Sequence, residues 1–470
     1  MEFFSILGVA TVVIAVLALA LYGKRRDVGF LVGTGALYYW TLYGAWYIVI
    51  DKTGGFSGKN YSYLEYKMFP ISLDGDYMLT LVLYSGFIIL VQLTLLLTLL
   101  RDKQFEVPRL VMRHEPILII AVLAALASLY IIKDKISEAW ALNTSAYIYT
   151  RRQTDEWFTL HQVLNRVAML PPAIGFATLV AGERSCFFVN VVRRYTWPGY
   201  IALFLAMGAF TFVLGNKNEV FVSLITGLLA YLASVRRPSF LKAGLLVIGG
   251  MWFLYAIDFF RGTPISEMQY ALSQRIEEAT EVATFVTSSN EAYAAHFSLY
   301  GVLTTGTEPR FGYSLYSLAC SAVPRALWPD RPADIYNYYA DSVGVIQNQG
   351  YSVHHATGWY LNFGYTGVAL GALVMGLVWA YCSNAHQRIG PKSGLAFRLF
   401  ATISPWMFAA CLPTLIRAGP EGYKGFIVEG LMIPIATLAF ACRPKKAKPT
   451  LTWDAHTGWM IAGAQPENFK

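Results

Sequence analysis

Residues 77–100, YMLTLVLYSGFIILVQLTLLLTLL, form an apolar run that contains no charged side chain. About 20 such residues are enough to cross the hydrocarbon core of a bilayer as an α-helix. A helix is also the one way in which a single span satisfies its own backbone polar groups in lipid. The stretch therefore predicts a transmembrane helix, and the same signal divides the rest of the chain.

The composition agrees with many such spans. The chain has 470 residues, of which 56% are hydrophobic, 15% aromatic and 14% charged, more apolar residues than one soluble core requires. We predict an all-α, polytopic integral membrane protein with about eleven transmembrane helices. The predicted spans cover residues 3–22, 28–50, 77–100, 116–132, 161–182, 197–214, 219–235, 241–258, 362–382, 395–416 and 425–442.

The basic residues orient these spans. Lys24, Arg25 and Arg26 follow the first apolar run instead of preceding it, which favours a retained helix over a cleaved signal peptide. Every second connection, from 24–26 to 443–448, is net basic, as cytoplasmic loops are. This pattern predicts an N-terminus outside the cytoplasm and a cytoplasmic C-terminus.

The spans define four regions. Residues 1–258 hold spans 1–8, 259–361 form one long extracytoplasmic loop, 362–442 hold spans 9–11, and 443–470 form a cytoplasmic tail. The formal net charge of +8 is spread over short connections, so no nucleic-acid partner is implied. The five cysteines have neither paired nor metal-ligand spacing, so we expect no disulfide and no zinc site. We predict no cofactor.

The long loop concentrates the polar chemistry of the chain. It contains Pro324-Arg325-Ala326-Leu327-Trp328-Pro329-Asp330-Arg331-Pro332, then Tyr336, Tyr338 and Tyr339, then His354-His355. Guanidinium groups bind phosphate oxygens in pairs, and aromatic faces pack on the apolar faces of sugars. The loop therefore predicts a substrate that carries both phosphate and sugar. We also expect a surface helix at 265–282 and a non-spanning segment at 313–327.

The segment Pro324-Arg325-x-x-Trp328-Pro329-x-Arg331-Pro332 resembles the signature of bacterial oligosaccharide repeat-unit polymerases, the Wzy-type O-antigen and capsule polymerases. Those proteins usually have lysine at the position of Arg331. The flanking motifs are Gly215-Asn216-Lys217, Phe260-Arg261-Gly262, and His354-His355 followed by NFGYTG at 362–367. The resemblance covers the topology of the whole chain but specific residues only within 215–367.

The resemblance implies a reaction. Similar proteins move a growing glycan from a polyprenyl diphosphate carrier onto another carrier-linked repeat unit, in the bacterial plasma (inner) membrane, on its extracytoplasmic face. The lipid bilayer, a chain-length regulator and a flippase are the implied partners. Cations must stabilise the departing diphosphate, and a base must act on the acceptor hydroxyl; no metal is required, since guanidiniums supply the positive charge.

Side chains for both tasks are present. The candidates for binding diphosphate are Lys217, Arg261, Arg325 and Arg331, with Arg151 and Arg152 as a secondary pair for diphosphate or glycan. His354 or His355 is the candidate base, because imidazole titrates near neutrality. Residues 417–424, with Arg417, Glu421 and Lys424, form a short outer connection that is a further candidate lining of the same cavity.

Each candidate also has a structural interpretation. Lys217 can snorkel to the membrane interface, Arg325 and Arg331 can pair with Asp330 and Asp334 as a loop clamp, and the histidines can be loop hydrogen-bonding groups.

Other function classes stay open as well. A metal-dependent glycosyltransferase would use Asp74 and Asp76, which also suit a turn before a helix. A flippase would place charges at mid-membrane, where Glu429 is the main exception to apolar spans. A ligase would use the same donor chemistry as a polymerase.

Overall fold

The structure is a computed structural model. It describes residues 2–25, 28–52, 74–99, 109–141, 156–182, 187–191, 193, 195–214, 217–235, 267, 270, 291–321, 323, 328, 330–344, 352–445, 450–454 and 458–462.

The described chain is mostly helical, as predicted for an all-α membrane protein. In chain order the helices are α1 (Glu2–Arg25), α2 (Val28–Lys52), α3 (Gly75–Leu99), α4 (His114–Ala141), α5 (Glu156–Ala181), α6 (Thr196–Leu214), α7 (Lys217–Ser234), α8 (Glu291–Thr304), α9 (Tyr313–Cys320), α10 (Ile335–Val343), α11 (His355–Asn384), α12 (Leu395–Arg417) and α13 (Gly419–Ala441).

Six helices in the described part of the chain are long and apolar enough to cross a membrane. They are Gly75–Leu99, His114–Glu138, Leu160–Ala181, His355–Arg388, Leu395–Arg417 and Gly419–Ala441, with shorter apolar helices at Leu7–Leu21 and Asn218–Ser234. Helices α1–α7 and α11–α13 occupy the positions of ten predicted spans, whereas the predicted span 241–258 lies outside the described residues. The total of eleven spans and their orientation stay predictions.

Two of the spans depart from regular α-helical geometry. Within α11 the backbone is non-helical at Phe363 and Gly364, and Gly364 has a φ of 64°. This break separates a buried first segment, 355–362, from the apolar part that the sequence predicts to span. The last span, α13, is π-helical over Gly425–Met432 and α-helical over Ile433–Ala441.

Large aromatic side chains and small residues pack the centre of the bundle. Trp379 of α11 stacks on Phe408 of α12 and lies 5.4 Å, centroid to centroid, from Phe30 of α2. Gly376 brings α11 against α3, because a Cβ at that position would lie 2.7 Å from Thr94 Cβ. A second apolar cluster joins α4, α5, α6 and α7. The bundle therefore has a close-packed interior of its own.

The region predicted as a long loop contains three described helices, α8, α9 and α10. Helix α8 is largely buried, with Ala292, Ala295, Phe297 and Leu299 all at 0% exposure. It lies against α2 and α3, so part of this region belongs to the bundle. The predicted surface helix at 265–282 lies almost wholly outside the described residues.

Short strands, which were not predicted, pair beside the start of α4 and the end of α13. Strand β1 (Leu110–Arg113) pairs in parallel with β2 (Phe188–Val191) and antiparallel with β3 (Cys442–Pro444). This sheet ties the start of α4 to the end of α13. A separate hairpin of β4 (Thr450–Asp454) and β5 (Gly458–Ala462) lies in the C-terminal tail.

Candidate functional site

The turn at 417–421 connects α12 to α13 and collects contacts from distant parts of the chain. Gly419 has a φ of 61°, a conformation that favours glycine, and Pro420 occupies the first turn of a 3-10 helix, where its missing N–H costs nothing. Backbone bonds fix the turn to the segment before α11: Val353 N–H donates to Arg417 O at 2.9 Å, and Gly419 N–H donates to Val353 O at 3.1 Å.

The first turn of α11 lies directly on this 417–421 turn. A Cβ on Gly358 would stand 2.5 Å from Pro420 Cδ and 2.9 Å from Gly419 Cα. Real side chains do not approach so closely, so position 358 requires glycine. The start of α11 and the end of α12 are therefore held in a fixed relation.

His355, one of the two predicted bases, joins the same elements. Its Nδ1–H donates to the carbonyl oxygens of Leu415, at 3.2 Å, and Gly419, at 3.1 Å. Its Nε2 accepts the indole N–H of Trp359 at 2.9 Å. The ring is fully buried and both its nitrogens are bonded to protein. In this geometry His355 holds the α12–α13 turn onto α11.

His354, the other predicted base, caps α11. Its Nδ1 accepts the backbone N–H of Ala356 at 3.1 Å, so the neutral ring carries its proton on Nε2 and donates it to Thr41 Oγ1 at 3.1 Å. Tyr84 lies against the ring at a centroid distance of 4.5 Å. That either histidine acts as a base stays a prediction.

A third histidine, His296 of α8, completes the cluster. Its Nδ1–H donates to Thr41 O at 2.7 Å, and its Nε2 accepts the Tyr77 hydroxyl at 3.1 Å. Thr41 thus receives a hydrogen bond from each of two imidazoles. Sequence reasoning missed His296, because it treated 259–361 as a loop; the buried apolar face of Glu291–Thr304 is the signal that it overlooked.

Hydroxyl groups connect the histidines. Ser298 Oγ donates to Ala295 O at 2.6 Å, accepts the backbone N–H of His354 at 3.0 Å, and lies 2.7 Å from Thr357 Oγ1. Tyr84 donates to His296 O at 2.7 Å. The cluster therefore forms one hydrogen-bonded network between α2, α3, α8 and α11.

Burial sets the charge state of this network. It lowers the pKa of His296 to about 4, against a smaller opposing effect of the hydrogen bond to Thr41 O. Burial, and then the neighbouring His355 and His296, hold the pKa of His354 well below its usual value. Both rings are neutral at physiological pH, as their hydrogen bonds require.

The cluster lies deep between α2 and α3. Tyr84 comes nine residues after the first residue of α3, which corresponds to roughly 14 Å along the helix axis. Thr41 is similarly far from both ends of α2. The ends of α11, α12 and α13 that meet at the 417–421 turn are therefore recessed below the ends of α2 and α3.

Charged side chains gather beside the recessed turn. Arg417 Nη2 donates to Asn218 Oδ1 at 2.9 Å, which brings the first turn of α7 to the end of α12. Lys217 is the first residue of α7, and its side chain lies outside the described part. Glu421 Oε1 accepts the backbone N–H of Ile335 at 3.0 Å and so holds the start of α10.

A second charged cluster lies between α5, α7 and α13. Arg166 Nη2 is 3.6 Å from Glu219 Oε1 and 3.2 Å from Glu429 Oε2. The side chains of Arg166 and Glu219 are 10% and 5% exposed, whereas that of Glu429 is 37% exposed. Sequence reasoning singled out Glu429 but not its partners, because only the fold brings three spans together.

Of the predicted loop cations, Arg331 is the one that the structure describes. Its Nη1 donates to Val323 O at 3.0 Å and to Ser321 O at 3.3 Å, which fixes the chain after α9. Arg151, Arg152, Arg261 and Arg325 lie outside the described residues. Sequence reasoning missed Arg310, an exposed cation that stacks on Tyr338 with its guanidinium carbon 3.8 Å from the ring centroid.

Asp74, the acidic alternative, is bonded on both oxygens. Oδ1 accepts the N–H of Tyr77 and so caps α3, and Oδ2 accepts the Tyr300 hydroxyl, both at 2.8 Å. Within the described ranges no three His, Cys, Asp or Glu side chains are arranged to hold a metal ion.

A groove of about 620 Å³ lies far from these residues. It runs between α3 and α11 at the opposite end of the bundle, and Arg388 and Tyr381 stand at one side of it. Its other lining residues are Leu97, Thr98, Leu377, Val378, Ala380 and Asn384. None of the residues that line it belongs to the histidine cluster or to the charged cluster.

Comparison of the chain with known protein families, with characterised proteins and with solved structures finds no match.

Proposed function

We propose that the chain is a membrane glycosyltransferase that polymerises polyprenyl-diphosphate-linked oligosaccharide repeat units on the extracytoplasmic face of a bacterial plasma membrane. One observation carries the proposal. Asn218, Ile335 and Val353, which flank three segments that resemble repeat-unit polymerases, are far apart in sequence, yet each bonds to a residue of the 417–421 turn.

Three contacts fix the 417–421 turn to these flanking residues. Asn218, which follows Lys217, accepts a hydrogen bond from Arg417. Val353, which precedes His354, forms backbone hydrogen bonds with Arg417 and Gly419. On the other side, Glu421 holds Ile335, four residues after Arg331. A substrate shared by the three segments would account for this convergence of their neighbours.

The proposed reaction uses this convergence. A hydroxyl of the acceptor sugar attacks the anomeric carbon of the donor; the new C–O bond forms as the bond from that carbon to the phosphate oxygen breaks. The electron pair leaves on the lipid diphosphate, whose charge Lys217, Arg261, Arg325 and Arg331 stabilise, with Arg417 beside them. Guanidiniums supply this charge without a metal.

The remaining features follow from the sequence. The proposal includes eleven spans with the N-terminus outside, and Arg151 and Arg152 as secondary contacts to diphosphate or glycan. The lipid-linked oligosaccharide and the bilayer are the direct partners, and a chain-length regulator and a flippase are the associated proteins. A ligase, which passes the glycan to a different acceptor, would use the same donor site.

The test is reconstitution of the purified protein in vesicles with polyprenyl-diphosphate-linked repeat units, with and without a chelator. A ladder of repeat multiples that survives chelation is the expected result. A ladder lost on chelation would indicate that a metal ion, and not the guanidiniums, stabilises the charge of the departing diphosphate. The absence of any ladder would contradict polymerisation.

A lipid-linked glycan transporter is the second candidate, because transport sites use ionisable residues and irregular helices, features that the Arg166–Glu219–Glu429 cluster and the π-helical part of α13 share. The same vesicles separate the two. A transporter moves labelled lipid-linked repeat units between leaflets and leaves their length unchanged.

A further inference from the structure

The groove between α3 and α11 has an apolar lining that opens at the surface of the bundle. Its volume of about 620 Å³ lies within the range of about 300–1,000 Å³ that is typical of ligand pockets. Both helices are long and apolar enough to cross a membrane. Leu97 and Leu377, which line the groove from the two helices, are 64% and 54% exposed. On a membrane-spanning bundle, this part of the groove is therefore accessible to lipid chains.

A cation stands at one side of the groove. The 3-10 helix Ala385–Arg388 follows α11, and the guanidinium carbon of Arg388 lies 4.5 Å from the ring centroid of Tyr381. The Tyr381 ring lies 5.8 Å from that of Phe400 in α12. Residues 100–108, which follow α3, lie outside the described part of the chain. Among the described residues, none accepts a hydrogen bond from Arg388, whose N–H groups suit phosphate oxygens.

The connection between α11 and α12 adds further positive charge beside the groove. It holds Arg388, Lys392 and, at its far end, Arg398, while residues 342–420 contain no acidic side chain. Arg398 donates to two carbonyl oxygens of the 390–393 turn, at 2.9 Å and 3.2 Å, and so fixes the segment that carries the exposed Lys392. The sequence predicts this basic connection to be cytoplasmic. Basic pockets between spans on that side of a membrane bind acidic lipid headgroups.

We propose that the groove binds one anionic phospholipid of the surrounding membrane, with its phosphate at Arg388 and an acyl chain along Leu97 and Leu377. Charge complementarity selects this occupant, because the headgroup of a zwitterionic lipid brings a cation of its own to Arg388. The groove lies at the opposite end of the bundle from the 417–421 turn, which separates this lipid from the carrier lipid of the proposed reaction. The site is independent of the proposed function and is the same in a polymerase and in a transporter.

The first arm of the test measures the headgroup site. The full chain in detergent is titrated with phosphatidylglycerol or with phosphatidylcholine of the same acyl chains, and native mass spectrometry gives the dissociation constant of the first bound lipid. We expect tighter binding of phosphatidylglycerol. Arg388→Ala should weaken it about fivefold, the effect of one basic side chain near a lipid headgroup. Arg388→Lys, which keeps the charge, should retain most of the affinity.

Arg443→Ala is the matched control for the charge. Arg443 is an exposed cation of β3, on the face that the sequence also predicts to be cytoplasmic, and it does not line the groove. Its replacement should leave the dissociation constant unchanged. Equal affinity of the wild type for the two lipids would overturn the proposal. Equal losses in Arg388→Ala and Arg443→Ala would do so as well, because they would indicate a general attraction to basic surface.

The second arm tests the apolar part of the groove. Leu377→Trp places a larger side chain in the groove and should weaken binding of phosphatidylglycerol. Leu373→Trp is its control, because Leu373 is an exposed residue one turn earlier in α11 that does not line the groove. Gel filtration shows whether each variant is folded. Unchanged binding in a folded Leu377→Trp protein would overturn the site. Neither arm uses a lipid-linked glycan, so the result is separate from the test of polymerisation.

Discussion

The guanidinium of Arg417 donates to the side-chain oxygen of Asn218 across 2.9 Å, and so joins the last residue of α12 to the first turn of α7. The two residues are 199 positions apart in sequence. Beside them, the backbone of Arg417 accepts the N–H of Val353, next to the histidine pair. Arg417 is therefore a described cation whose bonds reach both the first turn of α7 and the segment before α11.

Replacing Arg417 with alanine should reduce polymer formation by about 100- to 1,000-fold, the usual effect of removing one donor that stabilises a developing anion. The measurement is the amount of polymer formed per unit time in vesicles that contain equal amounts of each variant. Asn218→Ala is the matched control, because it removes the same hydrogen bond but no cation, and it should cost far less. Equal losses in the two variants would reduce Arg417 to a structural role.

Replacing Gly358 with alanine should lower the stability of the bundle by about 1–3 kcal/mol, the usual cost of overpacking. The new Cβ would stand 2.5 Å from Pro420 Cδ, and neither backbone segment can move freely. Gly86→Ala in α3 is the control, since no atom lies within 4 Å of a Cβ there. Thermal unfolding in detergent compares the two; equal melting temperatures would contradict the close contact.

The sequence predicts helices well where apolar runs are long, as in α3 and α12, because length and hydropathy alone decide a span. It does not predict that α11 begins at His355, since 355–362 are polar enough to resemble a loop and become buried only in the fold, where Gly358 packs against Pro420. The pairing of Arg166 with Glu219 and Glu429 could not be predicted from the sequence either. Each residue is isolated in its own span, and no local periodicity reports which spans are neighbours.

His354→Asn separates the two roles of His354. Asparagine is a favourable N-cap, so it can replace the bond from Nδ1 to the N–H of Ala356 while removing the imidazole. Because both ring nitrogens are bonded to protein, we expect the variant to keep polymer formation within about tenfold of the wild type, less than the loss of a general base causes. A folded His354→Asn protein that makes no polymer would indicate that His354 is the base, one of the two candidates that the sequence predicts.

Acidification should weaken the fold through the buried histidines. The unfolded chain binds a proton to His296 below about pH 6.5, whereas the folded ring stays neutral until its pKa of about 4. Stability is therefore complete above this range and falls as the pH is lowered through it, by up to about 1.4 kcal/mol per pH unit for each such histidine. Unfolding in detergent at several pH values should give a smaller slope for His296→Gln; an identical slope would mean that His296 is protonated in the folded protein.

Replacing Arg325 or Arg261 with alanine should abolish polymer and leave the protein in the membrane, because each is expected to neutralise the departing diphosphate. Both residues lie outside the described part of the chain, so this prediction rests on the resemblance. Arg331→Lys is the matched control in the same loop: similar proteins usually have lysine at this position, and a lysine can still donate to Val323 O, which Arg331 now reaches at 3.0 Å. The expected pattern is no ladder for the two alanine variants and a normal ladder for Arg331→Lys. Unchanged polymer length in both alanine variants would remove these arginines from the diphosphate site and leave Lys217, Arg331 and Arg417 as the cations to be tested there.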